Sequence, residues 1–368
     1  MRLALRELLR RPGKFVTATL ILTLIAILLM FLGGLLDGLI RSSTGAVRAQ
    51  QGDAIVYSES SQASFIRSRI DTDVTAGIAD LPGVAEVGGL GVVQLGARVP
   101  GNGPRDLANV AVWGYELPPV GVPEPPAPGE AWADSVLAAD GVELGDELLV
   151  GPSRTPIIVA GWVDDTSYNG QGGLWTGVDT WRDVLVDNRP DAVLADGVFQ
   201  ALVVRADGST DVIADMTTAF GSDVEALSVT DAVDAIPGVT EQQTTFNQIL
   251  GVTVVIALVV IALFFALLTV ERASLYGVLK AIGARSRTLI VGLVVQAVVL
   301  TLIAATLAGA AVIVLDLLIP PGSIPLFISP GRIVSSVALL LVAAVVGSAF
   351  SLRRVLRIDP AAALGSST

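Results

Sequence analysis

The chain has no cysteine and no histidine, and only three of its 368 residues are methionine. Without Cys and His it can form no disulfide, no thiolate or imidazole metal site, and no Ser-His or Cys-His nucleophile pair, which removes most enzyme classes. It also lacks a G-x-x-x-x-G-K-[ST] phosphate loop, so nucleotide binding and hydrolysis are not expected of this chain itself. Charged residues are sparse at 16%, whereas 52% are hydrophobic and the mean hydropathy is +0.69. A net charge of −12 on so apolar a chain must be segregated into aqueous parts around membrane spans.

Four runs are long enough to cross a bilayer core of about 30 Å, which takes about 20 helical residues: Phe15–Leu36, Ile249–Val270, Leu289–Leu315 and Ile333–Leu352. Basic residues precede the first, as they would a signal peptide. Its 22 residues exceed a typical h-region and no A-x-A site closes it, so it is expected to be retained as a span.

Basic residues cluster beside the spans at three places. Arg2, Arg6, Arg10, Arg11 and Lys14 precede the first; Arg272, Lys280, Arg285 and Arg287 lie between the second and third; Arg353, Arg354 and Arg357 follow the fourth. The positive-inside rule puts all three, and both termini, in the cytoplasm. These twelve basic residues face only Glu7, Glu271 and Asp359, a net of +9, so the rest of the chain carries −21 to reach the total of −12. Residues 37–248 and the uncharged turn "IPPGSIPLFISP" are then outside.

The external segment is long enough for one or two small domains. "DGLIRSSTGAVRAQQ" keeps helical character, extending the first span as a stalk. β-like runs follow at 53–59, 84–99 and 107–115, with a helix near Val74–Leu81 closed by Pro82-Gly83. "LPPVGVPEPPAPGE", residues 117–130, is a stiff proline-rich connector marking an internal boundary. Beyond it come two or three strands with turns at Gly145-Asp146 and Gly151-Pro152, the loop "DDTSYNGQGG", a helix "VDTWRDVLVD", and then strand, helix, strand, helix to residue 236. An α+β domain split by a small β-rich insert fits this order. The acids Asp164, Asp165, Asp211, Asp215, Asp231 and Asp234 have no calcium-loop spacing and are read as a solvated surface.

Polar residues within or beside the spans are few. Gln296 is expected to make an interhelical hydrogen bond; Asp37, Arg41, Asp316 and Arg332 lie near the outer interface, where they can snorkel. No buried chain of acids suggests a proton-coupled pump. On the cytoplasmic side, "ERASLYGVLKAIGARSR" (271–287) is long enough for a short surface helix. Tyr276, Leu279 and Ile282 between Gly277 and Gly283 give a ridge that a protein groove can accept. "MRLALRELLRR" is a second amphipathic helix, with Leu5, Leu8 and Leu9 on one side. Composition does not choose between lipid and partner for either.

The segment 271–287 resembles the signature of FtsX/MacB-type ABC transporter permeases, E-R-x-x-E-x-G-x-L-x-A-I-G-A, through Glu271, Arg272, Gly277, Leu279, Ala281, Ile282, Gly283 and Ala284. The tail "RRVLRIDPAAAL" is similar to the family's closing R-x-x-x-x-D-P-x-x-A-L, through Asp359, Pro360, Ala363 and Leu364. The layout of one span, a large external domain and three spans also fits. The resemblance implies a permease homodimer, in contact with membrane lipids and not nucleic acid, bound to two copies of a separate ATPase that carries ATP and Mg. No cofactor is implied on this chain. It implies a coupling helix offering Glu271, Arg272, Tyr276, Gly277, Leu279, Lys280, Ile282, Gly283 and Ala284 to the ATPase, and an external domain like the MacB porter with its sabre insert. Work would be done by mechanotransmission, motion passing through the first two spans and their stalks without a continuous substrate channel.

The family's second Glu is Leu275 here, and "YGVLKAIGA" looks closer to HrtB-type haem-exporter and DevC-type glycolipid-exporter permeases. In that branch an amphipathic substrate, with haem the leading candidate, is taken from the outer leaflet. The equivalent place would be lined by Met30, Phe31, Gly34, Asp37, Gly38 and Arg41 with Tyr168 above. Lacking His and Cys, the chain could ligate haem only through Met30, Tyr168, Asp37 or an acid such as Glu59. The alternatives are an FtsX-like regulator of an external cell-wall hydrolase and an exporter of glycolipid, lipoprotein or peptide.

The expected layout is a cytoplasmic amphipathic helix (1–14), first span and stalk (15–51), external α+β domain (52–245) with its insert at about 116–195, second span (246–270), coupling helix (271–287), third span (288–318), external turn (319–332), fourth span (333–352) and cytoplasmic tail (353–368).

Overall fold

The computed structural model describes residues 12–221, 223–271, 286–319 and 324–356. Helix α1 (Pro12–Arg48) opens the described chain and runs past the apolar stretch that ends at Leu36. Its last turns contain Gly38, Ser42, Ser43 and Gly45, all poor helix formers. They stay helical because Ala46 and Val47 are buried against the sheet described next, and the Thr44 hydroxyl donates to Ile40 O at 2.7 Å.

Then follow β1 (Ala54–Ser58), α2 (Thr72–Ala79), β2 (Val84–Arg98), β3 (Leu107–Tyr115), β4 (Glu130–Asp134), β5 (Glu147–Val150), β6 (Thr155–Val163), β7 (Gly172–Thr176), α3 (Val178–Asn188), β8 (Ala201–Ala206), α4 (Val212–Phe220), β9 (Val224–Leu227) and α5 (Val229–Asp234). Three long helices complete the described chain: α6 (Val239–Glu271), α7 (Ser286–Leu318) and α8 (Pro330–Leu356).

The strands form one sheet in which β2, β3, β7, β4, β6 and β5 close on themselves, because β2 pairs with both β3 and β5. β3–β7 and β4–β6 are parallel; the other pairs of this ring are antiparallel. The first half of β2 instead pairs with β8, and β1 and β9 continue outward from there. The stretch 116–195, expected as an insert, thus supplies β4 to β7 and shares its sheet with the body. The ring encloses small and branched residues, among them Ala97, Val110, Val112, Ala131, Ala133, Leu148, Ile157 and Leu174.

By contacts the chain divides into two units: a helical one, residues up to Gly38 with Thr244–Ile319 and Leu326 onward, and a sheet unit dominated by Leu39–Gln243. The helical unit contains the apolar lengths of α1, α6, α7 and α8, all four long and apolar enough to cross a membrane. The chain is a multi-pass membrane protein with an α+β domain between its first and second spans, as the apolar runs predict.

Candidate functional site

Within the helical unit the spans pack through small residues. Ala26, Leu29 and Met30 of α1 meet Ala257 of α6, Ala308 and Val312 of α7 and Leu340 of α8. At Gly347 a Cβ would lie 2.9 Å from Leu258 O, so α8 and α6 cross with backbones nearly touching. Gln296 of α7, expected to make an interhelical hydrogen bond, is buried at 4% exposure.

Near the end of the apolar part of α1, the residues preceding α8 lie against Gly33 and Gly34. A Cβ on Gly34 would sit 3.1 Å from Ile328 and 3.2 Å from Leu326; one on Gly33 would meet the Arg332 stem. Phe327 N–H donates to Gly34 O at 3.0 Å. One turn further, the Arg332 guanidinium straddles the Asp37 carboxylate: Nε donates to Oδ2 at 2.9 Å and Nη2 meets Oδ1. This fork matches the carboxylate geometry that arginine recognises best. Asp37 and Arg332, read from the sequence as two separate interface residues, are therefore partners that tie α8 to α1. Asp316 is exposed near the end of α7.

In the sheet unit the loop Asp164–Gln171 lies along the last turns of α1. Asn169 and Gly170 N–H donate to Ser43 O and Ser42 O, each at 3.1 Å, and Ala46 N–H donates to Ser167 O at 3.0 Å. One oxygen of Asp165 receives Arg41 Nε at 2.6 Å and Arg48 Nη2 at 2.5 Å. Arg41 and Arg48 stand seven apart, two turns along one helix face. Such close approach needs Gly45, where a Cβ would lie 2.7 Å from Asp165 O and 3.0 Å from Ser167 N. Asp165 and Asn169 adopt positive φ, at 61° and 49°, which Asp and Asn tolerate better than other side chains.

The loop is anchored from beneath by Asp134, the last residue of β4 and 2% exposed. Its carboxylate accepts Thr166 N–H and Oγ1 at 3.1 Å, Ser167 Oγ at 2.8 Å and Val136 N–H at 3.2 Å. Burial raises its pKa above the ordinary 3.8, outweighing these four bonds, which pull the other way. Tyr168 is only 6% exposed. Its ring meets Phe65 and Trp113 edge-on, and Trp113 stacks on Trp175 with centroids 5.2 Å apart. Burial pushes the Tyr168 phenol up to about 12.

Of the residues expected around a substrate, Met30 is fully buried, Gly34 is covered by residues 326–328, Asp37 holds Arg332, Arg41 holds Asp165, and Tyr168 lies in an aromatic cluster. Phe31 is half-buried and Gly38 buried. Met30, Phe31, Gly34 and Asp37 belong to the helical unit, Arg41 and Tyr168 to the sheet unit. Of the coupling segment only Glu271, which ends α6, is described; Arg272, Tyr276, Gly277, Leu279, Lys280, Ile282, Gly283 and Ala284 lie outside the described residues, as do the amphipathic segment 1–11 and the tail from Arg357. Sequence reasoning missed Asp134, Gly45 and the partnering of Asp165. Among the described residues no group of His, Cys, Asp and Glu is arranged to hold a metal ion.

Two solved structures resemble part of this chain. The periplasmic region of MacB from Actinobacillus actinomycetemcomitans matches with a TM-score of 0.35 and 9% identity, over 52% of this chain and 95% of that one. The extracellular domain of the noncanonic ABC-type transporter YknZ from Gram-positive bacteria matches with a TM-score of 0.32 and 11% identity, over 48% of this chain and 100% of that one. Residues 247–360, which include the apolar lengths of α6, α7 and α8, match the FtsX-like permease C-terminal family.

Proposed function

We propose that the chain is the permease subunit of an ABC efflux transporter. The observation that carries this reading is the FtsX-like permease match over residues 247–360, joined to an α+β domain placed between the first span and that region. A separate ATPase, two copies per permease homodimer, supplies ATP hydrolysis with Mg and docks on the coupling segment 271–287. Both termini and that segment are cytoplasmic, and the sheet unit is external. Among the described residues the spans meet mainly through apolar and small side chains, the buried polar ones being Gln296 and a few Thr and Ser with no fully buried charge, which favours mechanotransmission over passage through the bundle. The substrate is a hydrophobic or amphipathic molecule taken from the outer leaflet.

Haem is the named candidate within that class. It rests on the likeness of "YGVLKAIGA" to haem-exporter permeases, and its difficulty is ligation: Met30 and Tyr168 are both buried, so neither reaches a ligand unless the surrounding packing opens. A Soret change on adding haem to the purified protein, lost on substituting Met30 or Tyr168, would support haem. No change at all would leave the broader amphipathic class.

The ATPase contact is tested by Gly277→Trp and Gly283→Trp in cells that also make a candidate partner ATPase. Both variants should insert into the membrane at normal levels and fail to co-purify the ATPase. Undiminished co-purification with both would remove the coupling assignment.

A further inference from the structure

We infer that the loop Asp164–Gln171 is the joint through which movement of α1 enters the sheet unit, with Asp165 as its lock and Asp134 as its buried anchor; this rests on the mechanotransmission reading above. The covalent route from α1 to the sheet, Ala49–Asp53, is a short non-helical stretch before β1. The loop instead grips the helix over two turns. It enters the helix's own backbone pairing, taking the N–H of Ala46 and giving N–H groups to the carbonyls of Ser42 and Ser43. Helix and loop cannot slide past one another without breaking those three backbone bonds and the two ion pairs on Asp165.

The other side of the loop is fixed to the ring of strands at two points. Gln171 leads directly into β7, and Thr166 and Ser167 are held by Asp134 at the end of β4. β7 lies between β3 and β4 in the closed ring, so displacement of the loop strains the ring instead of swinging a free hairpin. Behind the grip, Ala46 and Val47 belong to the same buried cluster as Phe65, Trp113, Tyr168 and Trp175. The helix therefore presses on a rigid aromatic wall while the loop holds it from the side. Gly45 is the position that permits this approach, and Asp165 and Asp134 act as positioning residues: neither need touch substrate for its loss to matter.

The test uses the intact permease with its ATPase in lipid nanodiscs, read by hydrogen exchange of peptides covering 42–49, 130–134, 164–171 and 172–176, with and without ATP and vanadate. Without nucleotide, Asp165→Asn and Asp134→Asn should speed exchange in 42–49 and 164–171 by about tenfold or more, from the loss of charge-assisted bonds, leaving the β2–β3 ladder unchanged. With ATP and vanadate, the wild type should change both at the first turns of α1 and in β4 and β7. The two Asn variants should keep the change in α1 and lose it in the strands, and Arg41→Gln/Arg48→Gln, which removes both cations facing Asp165 without altering the loop, should reproduce the Asp165→Asn response.

Undiminished transmission to β4 and β7 in both Asn variants overturns the joint and leaves the transport reading standing. An Arg41→Gln/Arg48→Gln variant that transmits as the wild type does shows that the charge is not the lock and also overturns it. A wild type that shows no nucleotide-driven change anywhere removes the mechanotransmission reading, and the joint with it.

Discussion

The pairing of Asp37 with Arg332 makes a prediction whose size follows from its surroundings. Both oxygens of one carboxylate engage one guanidinium, and the two side chains are about equally sheltered, at 23% and 24% exposure. Fully exposed pairs contribute about 0.2–1 kcal/mol, whereas removing one partner of a fully buried pair costs about 3–5 kcal/mol. A forked pair with a quarter of its surface open belongs between these limits. Asp37→Asn alone should destabilise the helical unit by about 2–3 kcal/mol, since it leaves a cation beside the apolar ends of α1 and α8. In a double-mutant cycle with Arg332→Gln the coupling should be about 2 kcal/mol, roughly thirtyfold in the unfolding equilibrium.

The assay is denaturant-driven unfolding in mixed detergent–lipid micelles, followed by far-ultraviolet helicity. Tryptophan fluorescence would be blind to it, because all five tryptophans, at 113, 132, 162, 175 and 181, lie in the sheet unit. If the two single substitutions add to within about 0.5 kcal/mol, the residues do not act as a pair and the reasoning fails.

Three further substitutions follow from named contacts. Gly347→Leu places a side chain against Leu258 O, where a Cβ alone would stand 2.9 Å away, and should lower the helical unit's stability by about 1–3 kcal/mol; an unchanged far-ultraviolet melting curve would contradict this. Tyr57→Phe removes a buried hydroxyl that has no hydrogen-bond partner among the described residues, so it should be neutral or stabilising by up to about 1 kcal/mol, measured as the fluorescence midpoint in urea; a clear loss of stability would show that the hydroxyl has a partner. Asp134 holds its proton more tightly folded than unfolded, so the stability of the wild type relative to Asp134→Asn should rise as pH falls from 7 through the raised pKa, and the gain should be complete below about 3.9. A difference in urea midpoints that moves the other way between pH 7 and pH 4.5 would refute it.

The long elements were legible because their periodicity and length leave little choice: four apolar runs became four helices, and β1, β2, β3 and α2 fall within a few residues of where alternation and the Pro82-Gly83 stop place them. β4 and β7 were missed for a physical reason. Every residue of β7, Gly172–Thr176, is buried, so it shows no alternation between an inner and an outer face, and its two glycines read as loop. β4 begins at Glu130, directly after the proline-rich stretch, where composition points to a connector. The ring closure was illegible for another reason: β2 is long enough to pair with β8 along one half and with β3 and β5 farther on, and a strand's partners are not written in its own sequence.

Charge explains why the site was harder still. Asp165 looked like one more acid on an acidic surface, and Arg41 like a snorkelling interface residue, because each was weighed alone; their meaning lies in a contact 124 positions apart in the chain. The same holds for Asp37 and Arg332, 295 positions apart. Once paired, they constrain the substrate reading. Gly34 and Asp37 can line an opening toward the outer leaflet only if Phe327 releases Gly34 O and Arg332 releases Asp37. Opening there requires breaking a forked ion pair and a backbone hydrogen bond together, a cost of about 3 kcal/mol or more. A permease working by mechanotransmission would have to supply that from its nucleotide cycle. By contrast, the exposed stripe Val16, Leu20, Leu24 and Leu28 lower on α1 is uncovered already, recurring every fourth residue on one face. Contact with lipid or a second copy through that stripe costs no rearrangement among the described residues, so one face of the lower half of α1 is open to a partner, while its opposite face, with Phe15, Leu22 and Ala26, is packed within the helical unit.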